Sequence, residues 1–199
     1  MRNKGYPAGA VPITDGIIFE AIMELKDVCS IVGAKLSEVI KEQFPNFHIE
    51  GPRLLWAISG VESTYGTDKR TRFEKSLWDR WSNTKDARLQ RWISEHKTRI
   101  ATSFGPWQIL GVVALELGFD ENLSLDLLML PEVSAFYVYK YIARRCFKSV
   151  KQAIDAGKYP NTEMDFLKAI GDAYNSGNAF DNVIPTDYQS KLLKNYQQN

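Results

Sequence analysis

The sequence predicts a single, mostly α-helical domain. Apolar residues recur at three- and four-residue steps along most of the chain, Gly and Pro punctuate those runs where helices would start and stop, and no convincing two-residue alternation marks a strand. The 199 residues suffice for one sizeable core, and 44% apolar with 25% charged residues is the composition of a packed globular protein.

Residues 1–13 are rich in Gly and Pro and read as a flexible N-terminal arm, with residues 14–199 as the single domain and Thr14 as cap of its first helix. Ile18, Ile22, Leu25, Cys29 and Val32 share one face, and the pattern resumes after Gly33 at Leu36, Val39, Ile40 and Phe44. That reads as two consecutive helices or one helix bent at Gly33. Gly51-Pro52 opens the next, running to about Tyr65, because the first-turn amide that Pro lacks would be unpaired anyway. The segment from Gly66 to Thr102 is the most polar. It holds Trp78, Trp81 and Trp92 and a helix from about Lys85 to Lys97, and it reads as an insertion flanking a site, with a short β-hairpin within 66–84 left open.

Pro106 would open a buried helix from Trp107 to Leu117, closed by Gly118, and Pro131 another running to about Cys146. Thr162 with Asp165 resembles a capping box, starting a helix that buries Phe166, Ile170, Ala173 and Tyr174 and ends at Asn175-Ser176-Gly177. A short amphipathic helix from Asp187 to Tyr196 closes the chain.

Composition narrows the chemistry. With 25 basic and 24 acidic side chains, no global field draws the chain to nucleic acid or anionic membranes. His48 and His96 are the only histidines, so a multi-His metal site is out of reach and a Ser-His-Asp triad poorly supported. Cys29 and Cys146 make neither a disulfide framework nor a zinc spacing and read as buried thiols. No Gly-rich phosphate loop and no run of membrane-spanning length appears. No metal or organic cofactor is implied, and a monomer is favoured.

The residue that stands out is Glu62. On the 53–65 helix it falls inside the apolar stripe of Leu54, Leu55, Ile58, Val61 and Tyr65. A carboxylate there must be paired, keep its head in water at the stripe's edge, or hold its proton through a raised pKa, as a general acid near neutral pH requires.

Three ordered segments accompany it: Glu62-Ser63 on a helix, Ser103-Phe104-Gly105-Pro106-Trp107-Gln108-Ile109, and Ala173-Tyr174-Asn175-Ser176-Gly177. Together they resemble the soluble lytic transglycosylases and goose-type lysozymes, whose pattern is Glu-Ser on a helix, a Gly-x-x-Gln-Ile turn, and a late Ala-Tyr-Asn-x-Gly. The likeness spans roughly residues 53 to 192. Arg72-Phe73-Glu74 and Tyr188 to Leu192 add a closer similarity to bacteriophage lysin domains. The gap from Glu62 to Gln108 is longer than in the soluble transglycosylases, and Pro106-Trp107 stands where they usually have Leu-Met, so the groove beside that turn is expected to differ.

The resemblance implies a lysozyme-like helical domain, with a short β-hairpin near the cleft, that cuts peptidoglycan glycan strands between N-acetylmuramic acid and N-acetylglucosamine. Glu62 would protonate the glycosidic oxygen and then act as base. Tyr174 would hydrogen-bond near Glu62 and hold its geometry, unless it is a packed ring. Gln108 would touch sugar or support its own turn; Ser103, Asn175 and Trp107 would belong to the substrate cleft, with Ser63 and Ser103 also readable as capping or turn hydroxyls. For Glu74, an ion pair or substrate contact ranks ahead of direct catalysis. That matters because most glycosidases need two carboxylates, whereas a transglycosylase manages with one. Trp107, Trp78, Trp81 and Tyr65 are candidates for stacking on sugar rings, with Trp78 and Trp81 expected to be exposed and Tyr137 to be core.

Lytic transglycosylation is the leading expectation and a hydrolytic muramidase the second. A catalytically silent wall-binding or virion protein and an enzyme acting on chitin or chitosan are the others. The start of the sequence lacks the apolar stretch of a secretory signal, so the expected route is synthesis in the cytoplasm and delivery to the wall by phage lysis or a virion.

Overall fold

The computed structural model describes residues 23–159, 162–179 and 186–198, so the N-terminal arm, Thr14, Ile18 and Ile22 lie outside the described residues. The protein is mostly helical. No helix among the described residues is long and apolar enough to cross a membrane.

Helix α1 (Leu25–Gln43) runs straight through Gly33. This glycine marks a close approach, not a bend. A Cβ on Gly33 would lie 2.4 Å from the Pro52 Cα, and one on Gly51 would lie 2.1 Å from the Gly33 oxygen. The start of α2 (Gly51–Ser63) therefore packs backbone to backbone on α1. Glu50 gives α2 no side-chain cap; instead Ser37 of α1 accepts from the Gly51 amide at 2.7 Å, satisfying a donor that a helix start leaves orphaned. Leu54, Leu55 and Ile58 on α2 are fully buried.

After α2 the chain forms strand β1 (Arg72–Phe73), then α3 (Lys75–Trp81) and α4 (Ala87–His96). The α4 start is capped by the Asp86 carboxylate, which accepts from the Leu89 amide at 2.8 Å. Helix α3 was not expected from the sequence, where its polar run hides a stripe of Leu77, Trp78 and Trp81 that packs partly buried against the core.

The expected helix from Trp107 to Leu117 is a hairpin followed by one short helix. Strand β2 (Thr102–Phe104) pairs antiparallel with β3 (Ile109–Leu110), and only then comes α5 (Gly111–Glu116). Strand β1 completes a three-stranded sheet by pairing with β2, Arg72 opposite Ser103. The hairpin thus lies at 102–110, outside the 66–84 window, which supplies only an edge strand. Periodicity misleads here because a wholly buried apolar run reads the same as helix or strand. Gly105 at φ +72° and Gln108 at φ +49° reverse the chain, and a Cβ on Gly105 would meet the Leu128 oxygen at 2.3 Å.

Helix α6 (Pro131–Tyr141) does not stop at Cys146. A π-helical turn over Ile142–Cys146 leads directly into α7 (Phe147–Asp155), whose Phe147, Val150 and Ala153 extend the buried face. Helix α8 (Glu163–Ser176) begins with Thr162 accepting from the Asp165 amide and ends on Gly177 at φ +84°; Phe166, Ile170, Ala173 and Tyr174 are buried, as the spacing predicts. Helix α9 (Thr186–Gln197) packs on α2 and α8. Phe44, Phe47, Phe147 and Phe166 form an aromatic cluster joining the end of α1 to α7 and α8.

Replacing Gly51 by Ala drives a methyl group into the Gly33 carbonyl and must part α1 from α2. The expected cost is about 1–3 kcal/mol, read as a lower midpoint of chemical denaturation. An unchanged midpoint would contradict the close crossing.

Candidate active site

Glu62 is the next-to-last residue of α2, where the helix emerges from the core into a cleft. Its neighbour fixes the place. The Ser63 hydroxyl donates to the Pro106 carbonyl at 2.6 Å and accepts from the Gly66 amide at 2.9 Å, tying the helix end to the 105–108 turn. Thr64, Tyr65 and Gly66 then take left-handed backbone angles and turn the chain away. Two L-residues in that region store strain, which the Ser63 contacts help to hold.

The cleft has two hollows meeting at Glu62, Arg72 and Gln108. One, of about 210 Å³, is lined also by Glu74, Ser103, Tyr141, Tyr174 and Asn175. The other, of about 390 Å³, is lined by Asp68, Arg70 and Thr71. Glu62 is half-buried between them, and the Tyr188 hydroxyl of α9 donates to its Oε1 at 2.9 Å. Burial raises the Glu62 pKa from 4.5 to about 7; the Tyr188 hydrogen bond and the Arg72 charge oppose the rise, and the Glu74 charge adds to it. The carboxyl therefore exchanges its proton near neutrality, as an acid–base group should. Burial, followed by the Glu62 charge, holds Tyr174 and Tyr188 well above the usual phenol range, so both remain donors.

The other expected site residues divide. Ser103, Gln108, Glu74, Tyr174 and Asn175 all line the cleft with Glu62. Glu74 pairs with Arg72 at 2.5 Å on the edge of the sheet, so this carboxylate carries its own counter-charge. The Gln108 amide donates to Gly105 O at 3.1 Å and Arg70 O at 3.2 Å, bracing its turn against the loop before β1. Asn175 is exposed on the last turn of α8, and Ser103 is buried in β2.

Two expectations are corrected. Tyr174 does not hydrogen-bond Glu62; its hydroxyl donates to the Trp107 carbonyl at 2.7 Å, because a buried turn carbonyl needs a donor. Trp107 is not a cleft residue. It is fully buried, with its indole N–H donating to the Leu55 carbonyl at 2.7 Å, and anchors the turn from below. Tyr65 stacks on Trp56 at 4.8 Å, and neither Trp78 nor Trp81 lines the cleft or is fully exposed. Tyr137 is half-buried against Phe119.

Sequence reasoning missed the role of Tyr188, whose only signal was the Tyr-x-x-Lys-Leu stretch, and missed Tyr141 altogether. Tyr141 meets Tyr174 edge to face at 5.5 Å on the cleft wall, just before the π-helical turn. Among the described residues no cluster of His, Cys, Asp and Glu could hold a metal ion. Comparisons with protein families, with curated proteins and with solved structures find no match to this chain.

The raised pKa makes stability depend on pH. Below about pH 4.5 the carboxyl is protonated in the folded and unfolded chains alike. Between 4.5 and about 7 the unfolded chain releases the proton while the folded chain keeps it, so stability falls as pH rises through this window and the loss is complete above it. Glu62→Gln removes the dependence. Relative to wild type the variant should gain about 1–3 kcal/mol between pH 4 and pH 8, after allowance for solvent at a half-buried group. Denaturant titrations at the two pH values read it directly, and a gain of the opposite sign would place the carboxyl in a charge-stabilising site.

Proposed function

We propose that this protein is a peptidoglycan-cleaving enzyme with a lysozyme-like fold, acting as a lytic transglycosylase with Glu62 as its acid and base. The observation that carries the reading is one carboxyl group that keeps a proton near neutral pH, held by Tyr188 where two hollows of a cleft meet. The three motifs that resemble lytic transglycosylases converge on that group: Ser63 follows it, Gln108 lies beside it, and Tyr174 and Asn175 stand on the same cleft wall.

The chemistry follows from those positions. Protonated Glu62 gives its proton to the oxygen between N-acetylmuramic acid and N-acetylglucosamine as the C1–O bond breaks. The substrate's N-acetyl oxygen stabilises the positive charge left on C1. Glu62, now a carboxylate, takes the proton of the muramic C6 hydroxyl as its oxygen attacks C1, closing an anhydro ring without consuming water. One protein carboxyl suffices, which suits a cleft whose other carboxylates, Glu74 and Asp68, are engaged by Arg72 and Arg70.

A hydrolytic muramidase is the second reading, favoured by the presence of Glu74 in the same hollow as Glu62. Hydrolysis needs that second carboxylate, to orient water or to form an intermediate.

Glu62→Gln should lower digestion of purified peptidoglycan at least ~100-fold while leaving the circular-dichroism spectrum unchanged, since the amide keeps the shape but carries no acidic proton. Retention of more than about a tenth of wild-type turnover would remove Glu62 from the reaction. Glu74→Gln separates the two readings: transglycosylation predicts a modest loss of rate, and a loss as severe as that of Glu62→Gln would favour hydrolysis.

A further inference from the structure

Behind the cleft lies a buried polar cluster to which the proposed reaction assigns no role. Asp172 of α8 is fully buried, two residues before Tyr174. Burying a carboxylate is costly unless donors surround it, and here a phenol and an ammonium meet one of its oxygens while a hydroxyl lies near the other. The Tyr159 hydroxyl donates to its Oδ2 at 2.8 Å, the Lys158 ammonium lies 3.3 Å from the same oxygen, and the Ser176 hydroxyl lies 3.4 Å from Oδ1. The Tyr159 oxygen in turn accepts from the Gln189 side-chain amide at 3.1 Å, and that amide also donates to the Lys168 carbonyl of α8 at 3.2 Å.

Gln189 is buried and directly follows Tyr188 on α9. Successive helix residues point about 100° apart, so one turn of α9 turns Gln189 into the cluster and Tyr188 toward Glu62. We propose that Asp172, Tyr159 and Gln189 form a positioning relay that fixes the rotation and height of α9 on α8, and so holds the Tyr188 hydroxyl on the Glu62 carboxyl. A hydrogen bond placed by a single rotatable phenol is only as firm as the helix that carries it, and this buried network adds a hold on α8 to the polar ties that Tyr196 and Asn195 give α9 on α2.

The relay acts through one measurable quantity. The charged and titratable groups facing Glu62 are Tyr188 from α9, Tyr174 from α8, Tyr141 from α6, Arg72 and Glu74 from β1 and its end, and the paired Asp68 and Arg70 from the loop before β1. Of these, Tyr188 donates the hydrogen bond that favours the carboxylate, so a shift of α9 that lengthens this bond while the site stays buried raises the pH at which Glu62 ionises and leaves the contributions of Arg72 and Glu74 in place.

The inference rests on Glu62 being the acid of the proposed reaction only for its consequence, not for its test. In the full chain, the Glu62 side-chain carbon is titrated by NMR in wild type, Tyr188→Phe, Tyr159→Phe and Gln189→Met, alongside Phe47→Leu, which weakens the aromatic cluster away from α9. Tyr188→Phe should raise the midpoint by about half a pH unit or more. Tyr159→Phe and Gln189→Met should raise it in the same direction by a smaller amount, and Phe47→Leu should leave it in place even where it lowers thermal stability. Movement of the descending alkaline limb of kcat/KM by the same amounts would carry the effect into catalysis. A Glu62 midpoint unmoved by Tyr159→Phe and by Gln189→Met, with Tyr188→Phe shifting it, would overturn the relay, as would a midpoint that simply follows lost stability in all four variants. Should Tyr159→Phe fail to fold, Gln189→Met decides alone. An absence of glycan cleavage by wild type would defeat the functional reading and leave the titration intact as a test of the relay.

Discussion

The cleft is assembled from helix α2, through the clamp that Ser63 and Trp107 make between that helix and the 105–108 turn. The Trp107 indole reaches down to the Leu55 carbonyl, and a little over two turns further along α2 the Ser63 hydroxyl reaches across to Pro106. Both bonds are buried, so breaking either leaves a polar group without water or partner, an expensive state that makes the clamp stiff. Glu62 projects between the two anchors. The hairpin then hangs on the clamp, β1 hangs on the hairpin, and Arg72 and Glu74 come with it. Tyr174 completes the arrangement from α8 by bonding the carbonyl of the same Trp107.

Much of this was legible in the sequence. The apolar stripe carrying Glu62, the Pro-led start of α2, the Thr162 cap, the buried face of α8 and the final amphipathic helix all follow from local rules of spacing and capping. What failed was decided by contacts between distant residues. Residues 107–117 are apolar apart from Gln108 and Glu116, which suits a buried helix as well as a buried hairpin strand, and only the backbone angles at Gly105 and Gln108 choose. Gly33 looked like a possible bend because a helical glycine weakens a helix, whereas its use is the contact with Gly51 and Pro52. Trp107 looked like a sugar platform and proved to be the anchor of its turn, since an indole serves either purpose and only burial distinguishes them.

The candidate site divides in the same way. Residues that line the cleft directly, Glu62, Glu74, Ser103, Gln108, Tyr174 and Asn175, belong to motifs that can be read in order along the chain. The partner that holds the acid could not be read. Tyr188 is 126 residues from Glu62, and no periodicity links positions on helices that meet only in three dimensions. Its hydrogen bond also qualifies the electrostatics. Burial alone would push the acid higher still, and the Tyr188 donor with the Arg72 charge brings it to about 7, where it can both give and take a proton.

In the proposed reaction Glu62 acts alone, its neighbours Glu74 and Asp68 being paired with Arg72 and Arg70, and the attacking oxygen is the substrate's own C6 hydroxyl in place of water. Digestion of purified peptidoglycan by the full chain, with the released muropeptides weighed by mass spectrometry, tests this most directly. The account predicts products one water lighter than those of hydrolysis. Products of full hydrolytic mass would contradict it and return Glu74 to the reaction, and intact glycan strands after prolonged digestion would contradict the enzymatic reading itself.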